Sequence, residues 1–176
     1  MAGLAGGRLY GGGPAALQPT HQMAVVCGSY CGPEAVALCR VATPRITQSD
    51  QLLVRVMAGS LDPADLLATS GWARLERGRA HGGFPLGRDF CGVVVEAGAK
   101  VSHLHPGDRV WGALPYNLPG ALAEQIVVPG NLAVPLPSNL SWEGAATVPH
   151  SALQVSSARL YSIHSGKLCD DMLLSC

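Results

Sequence analysis

Charge is scarce in this chain of 176 residues and evenly split, with 12 Lys and Arg against 12 Asp and Glu, together 14% of the residues. A chain without net charge produces no field to gather nucleic acid or an anionic membrane surface, so a binding site must be shaped rather than merely charged. Long apolar runs are also missing. None approaches the roughly 18 residues of a transmembrane helix, because Gly, Pro or a charge interrupts each within a few residues. The six cysteines (Cys27, Cys31, Cys39, Cys91, Cys169 and Cys176) lack the regular spacing of a disulfide framework. No C-x-x-C pair or His partner completes a zinc site near them. They read as reduced thiols of a soluble intracellular protein. The length suits one domain, which near this size buries about 70% of the surface its unfolded chain exposes.

Gly and Pro are abundant, at 22 and 13, and they punctuate a series of strand-like runs. These are 23–27, 36–41, 52–58, 90–97, 108–114, 121–129 and 132–137. Short strands bounded by turn residues indicate a barrel or sandwich rather than a layered α/β sheet. Two helical patches interrupt them. The first, near 63–70, has Asp62 as N-cap and Pro63 at the first helical position. The second, near 142–148, has Ser141 as N-cap and Pro149 as terminator. Residues 73–85 are polar and Gly-rich and read as a loop over or beside a cleft.

The first 33 residues carry one Lys or Arg, Arg8, and no acid. The segment is acid-poor as a mitochondrial leader should be, but it is neither Arg-rich nor Ser-rich, so 1–22 reads as a disordered tail or a weak targeting segment. The loose dinucleotide pattern at Gly11, Gly13 and Ala16 follows no strand and contains Pro14, which marks it as a chance match. No G-x-S-x-G, H-E-x-x-H or outstanding carboxylate pair is present, so no catalytic residue is assigned. His103 and His105 read as an exposed loop pair.

The stretch GRDFCGVVVEAGAKVSHLHPGDRVWGALP (87–115), with LLVRVMAGSLDPADLLATSG before it and GALAEQIVVPGNLAVPLPSNLSWEGAATVP after it, resembles the GroES-like N-terminal domain of medium-chain dehydrogenases/reductases. It is most similar to mitochondrial members of the zinc-independent quinone-oxidoreductase branch. The resemblance implies a mainly β, partly open barrel over 23–158, followed by a divergent tail at 159–176 where the family continues into an NADPH-binding Rossmann domain. It implies no metal, since Asp62 and Arg88-Asp89 stand where zinc members carry a Cys and a His-Glu. It places Asp62, Trp72 and Gln154 beside the nicotinamide of NADPH, where the family carries Asn, Tyr and Thr.

The same resemblance replaces a common aromatic by His150. That change is a steric substitution or, alternatively, a proton donor. The implied substrate is a quinone or enone, and the implied location is mitochondrial, with cytoplasmic as the alternative. Two readings then compete: the substrate-side domain of an NADPH-dependent reductase, inactive as a truncated chain, or a truncated isoform whose exposed interdomain face binds a protein partner. A co-chaperonin-like ring subunit shares the barrel but has no use for the Asp-Pro-x-Asp and Gly-Arg-Asp segments.

Overall fold

The computed structural model describes residues 19–72 and 83–165, the side chains of 158–165 excepted. The tail up to residue 18 with its Gly11-Gly13-Ala16 match, residues 73–82 of the polar loop, and residues 166–176 lie outside the described residues.

Two antiparallel sheets make up the domain. The smaller joins β1 (His21–Cys27), β2 (Val36–Ala42) and β4 (Phe84–Pro85) in the order β2-β1-β4. The larger has the order β7-β3-β5-β6-β8 and uses β3 (Gln51–Ser60), β5 (Asp89–Ala97), β6 (Arg109–Ala113), β7 (Gln125–Pro129) and β8 (Val134–Pro135). The sheets meet at a corner without closing into a full barrel. Among the described residues, the α-helices are α1 (Pro63–Thr69), between β3 and β4, and α2 (Trp142–Ala145) and α3 (Pro149–Ser165), both after β8.

The strand pattern explains the layering. Buried positions alternate along β6 and β7, as a sheet with one face on the core requires, whereas the first four residues of β5 are all buried. Phe90 faces the central cluster of Leu52, Val54, Val94, Val110, Ile126 and Val128, while Cys91 faces Leu136, Ala145 and Ala146 beneath α2. β5 is therefore covered on both sides. Gly92 lies on it opposite Val56, and a Cβ there would run into the Arg55 carbonyl, so only glycine lets β3 approach this closely.

Three expectations need correction. The expected strand 121–129 is a strand only from Gln125; residues 121–124 cross between the sheets instead. Leu122 accepts from Val25 N and donates to Leu86 O, and Glu124 gives its carbonyl to Val56 N, so this segment serves both sheets at once. The ordered chain starts before residue 23. His21 and Gln22 belong to β1, and buried Gln22 clasps Gln125 with two hydrogen bonds, Nε2 to Gln125 O at 3.0 Å and Oε1 from Gln125 N at 2.7 Å. Pro149 does not merely terminate a helix. It opens α3, where its fixed φ and missing N–H fit the first turn.

Candidate functional site

The site starts with the capping of α1. Asp62 Oδ1 accepts from Ala64 N at 2.7 Å and Asp65 N at 3.1 Å, and Asp65 Oδ2 reciprocates by accepting from Asp62 N at 3.1 Å. The other oxygen of Asp65 accepts from Gly87 N at 2.9 Å and lies 3.7 Å from Arg88 Nε, with both side chains almost wholly buried (2% and 1% exposed). Gly87 makes this turn at φ 89°, a left-handed conformation that favours glycine. Arg88 then donates from Nη1 to Pro115 O at 2.7 Å and lies over the Tyr116 ring, 5.2 Å from its centroid. A helix start, a strand start and the loop after β6 are thus pinned to one buried ion pair.

Asp89 follows directly. Its Oδ1 accepts from His150 N at 2.7 Å and its Oδ2 from Ser60 Oγ at 3.2 Å. A carboxylate on the free N–H groups of the α3 start meets an unpaired donor and the positive end of the helix together. Burial nevertheless raises the Asp89 carboxyl above its ordinary range; the His150 amide and the Ser60 hydroxyl oppose that rise, and the nearby charge of Asp62 adds to it.

His150, anchored through its backbone, turns its ring toward α1. Nδ1 lies 2.7 Å from Asp62 Oδ2, the two side chains being 17% and 20% exposed. One turn further along α3, Gln154 Nε2 sits 3.5 Å from His150 Nε2. Tyr116 presents a ring edge to His150 at 6.1 Å between centroids, and Trp72 meets Tyr116 in a second edge-to-face pair at 5.7 Å. Trp72 is 60% exposed. The result is a ledge of Asp62, His150 and Gln154 beside an aromatic wall of Tyr116 and Trp72.

All three expected cofactor-facing residues, Asp62, Trp72 and Gln154, therefore border this ledge, Trp72 by way of Tyr116. Sequence reasoning did not select Ser60 or Tyr116, and it noted Arg88 and Asp89 only as replacements for zinc ligands. The Gly-Arg-Asp motif was the available signal for the latter pair; nothing in Pro115-Tyr116-Asn117 marked the tyrosine. His103 and His105 lie apart from the site, with His103 Nε2 3.3 Å from Gly130 O and His105 73% exposed beside Asp108. Among the described residues, no group of three or more His, Cys, Asp or Glu side chains is placed to hold a metal ion. A separate apolar groove of ≈ 350 Å³ lies where α3 meets β6 and β8, bordered by Trp111, Val134, Val148 and Leu153.

Residues 48–138 match the alcohol dehydrogenase GroES-like domain. Among curated proteins the chain is 37% identical over 126 residues to the human NAD(P)H oxidoreductase RTN4IP1, mitochondrial, spanning 65% of this chain and 32% of that one. It is 35% identical over 127 residues to the quinone-oxidoreductase homolog, chloroplastic, of Spinacia oleracea, spanning 72% of this chain and 38% of that protein. Among solved structures, the quinone oxidoreductase from Coxiella burnetii superposes with a TM-score of 0.74 at 26% identity, over 81% of this chain and 45% of that one. The chain spans about a third of the length of the curated relatives it matches. With a domain match over more than half its length, the chain belongs to the alcohol dehydrogenase GroES-like family, in the medium-chain dehydrogenase/reductase superfamily beside its quinone oxidoreductases.

Proposed function

We propose that residues 23–158 form the substrate-side domain of an NADPH-dependent, zinc-independent quinone or enone oxidoreductase. The observation that carries this reading is the convergence of Asp62, His150 and Gln154 on one ledge beside Tyr116 and Trp72. When bound, a reduced nicotinamide supplies hydride, and the protein's part is to bind, orient and exclude water. The residues present fit the nicotinamide end of the cofactor. Gln154 offers an amide that both donates and accepts, suited to a carboxamide, and the exposed indole of Trp72 offers a flat apolar surface. Asp62 acts less directly than the family pattern implies, since Oδ1 is taken by the α1 cap and Oδ2 lies against the His150 ring, 2.7 Å from Nδ1.

This superfamily holds the cofactor's phosphates on a Gly-rich strand–turn–helix, and on this reading the 176 residues alone are expected to bind NADPH in the millimolar range or weaker, about 4 kcal/mol of binding free energy. Calorimetry tests this directly. We expect no saturable micromolar binding and no quinone reduction by the chain alone, and reduction once a nucleotide-binding domain is joined so that it continues α3, which runs unbroken past residue 158. Micromolar binding that disappears in Gln154→Ala would overturn the expectation.

A second reading, a barrel that binds a protein partner, draws on the exposed Leu66 and Leu67 of α1 and Leu153 and Val155 of α3. Concentration-dependent association that is lost in Leu153→Glu would support it. For location we propose the mitochondrion, with the cytoplasm as the alternative; cell fractionation of the tagged chain distinguishes them.

A further inference from the structure

We propose that β2 is a docking edge for a second copy of this chain, the two β2 strands pairing antiparallel about a two-fold axis at Cys39. The inference is independent of the cofactor reading above. β2 pairs with β1 in unbroken register over its seven residues, from Val36 opposite Cys27 to Ala42 opposite His21, and among the described residues no strand lies on its other side. The hydrogen bonds at the two ends of this ladder, Thr43 N to Thr20 O at 3.1 Å and Gly28 N to Ala35 O at 2.9 Å, continue the same register and fix its phase. Because antiparallel ladders alternate, the odd-numbered residues of β2 bond to β1, while Val36, Leu38, Arg40 and Ala42 aim N–H and C=O outward. The edge has none of the usual protection: it contains no proline, lysine or bulge, and Leu38 on it is 67% exposed.

A second β2 fits this edge in one register. Centring the axis on Cys39 uses the whole strand and makes reciprocal hydrogen-bonded pairs of Val36 with Ala42, and of Leu38 with Arg40, of the second copy. Each larger side chain then meets a smaller or an unlike one: Val36 lies across from Ala42, Val41 from Ala37, and the Arg40 stem covers Leu38. Centring on Arg40 sets two guanidinium groups opposite each other, and centring on Leu38 runs the pairing off the strand into the 3₁₀ turn at Pro33–Ala35. Charge favours the Cys39 register as well. Continued past the ends of β2, it brings exposed Arg45 of each copy beside exposed Glu34 of the other. An unrelated extended peptide has no reason to present this pattern. The area of one strand pair is at the low end for specific interfaces, so the association is weak and concentration-dependent.

Mass and cross-linking read this register directly. Sedimentation of the full chain under reducing conditions should show its mass rising toward that of a dimer with concentration. At the axis, Cys39 faces its own copy in a non-hydrogen-bonded pair, where Cα atoms approach to about 4.5 Å, within the span of a disulfide. Diamide, which is reduced as it oxidises a pair of thiols, should therefore link Cys39 to Cys39, as read by peptide mass spectrometry, ahead of any link through the more exposed Cys31. Leu38→Pro removes an outward N–H and leaves the β1 ladder whole, and Leu38→Lys sets a cation opposite Arg40; each should abolish the dimer. Arg45→Glu should weaken it roughly fivefold, and Glu34→Arg combined with Arg45→Glu should restore it. Circular dichroism shows which variants fold, and where Leu38→Pro does not, Leu38→Lys decides. A monomer at every concentration, an association unchanged in the folded Leu38 variant, or one lost instead in Leu153→Glu would overturn the proposal. Links through other cysteine pairs alone would overturn the register.

Discussion

Asp89 binds protons more tightly in the folded chain than in the unfolded one, because burial disfavours its charge more than the His150 amide and Ser60 hydroxyl favour it. The consequence for stability has a definite sign. As pH rises from the ordinary value of 3.8 through the raised native value, the native state holds the proton that the unfolded state has lost, so stability falls across that window and is level above it. Asp89→Asn keeps an acceptor for His150 N and removes the titration. Urea unfolding between about pH 4 and about pH 7 should show wild type losing stability relative to Asp89→Asn, and parallel curves would refute the assignment. Cys91 presents a comparable case without a role in the site. Burial pushes its thiol up, and Sγ–H donates to Trp142 O at 2.9 Å. Alkylation followed by mass spectrometry should modify exposed Cys31 long before Cys91.

At the level of elements, α1 is a helix of seven residues that its cap and one buried pair hold in place. Asp62→Ala removes an acceptor for two backbone N–H groups and should cost about 1 kcal/mol, whereas Asp62→Asn should cost little. Arg88→Ala leaves Asp65 buried without its cation, and a loss of about 3–5 kcal/mol in chemical denaturation is expected. Much of this level was legible in the sequence. Asp62-Pro63 and Ser141 announced their helix starts through local chemistry, and the β-branched run of β5 with its glycine announced a doubly packed strand. Residues whose partners are remote in sequence were not legible. His150 looked like the substitution of one ring for another, and its meaning depends on Asp62 and Asp89, which approach only once β5 and two helix starts are assembled. For α3, local chemistry read Pro149 as a stop, since residues 151–157 are all exposed and carry no apolar stripe to announce a helix; only the family resemblance implied a helix around Gln154.

For the molecule as a whole, the departures from zinc-binding members act together. The positions that the resemblance sets against the Cys, His and Glu of zinc-binding members hold a carboxylate that caps α1, an arginine in a buried ion pair and a carboxylate bonded to α3, each engaged in holding the fold. Elemental analysis after purification in zinc-containing buffer should therefore give far less than one zinc per chain; one per chain would overturn the branch assignment. The overall architecture was readable because turn residues and alternation are local, while the crossing at 121–124 was not, since hydrogen bonds to both sheets look like an ordinary strand in sequence. The clasp between Gln22 and Gln125 also bears on synthesis of the chain. It joins residues 103 apart, so β1 leaves the ribosome on the order of 5 to 20 s before its partner exists, at the usual rates of translation. During that interval the newborn chain must carry Ala24 and Val26, both buried in the finished domain, without the surface that covers them, which makes the first strand the natural place for a chaperone to hold.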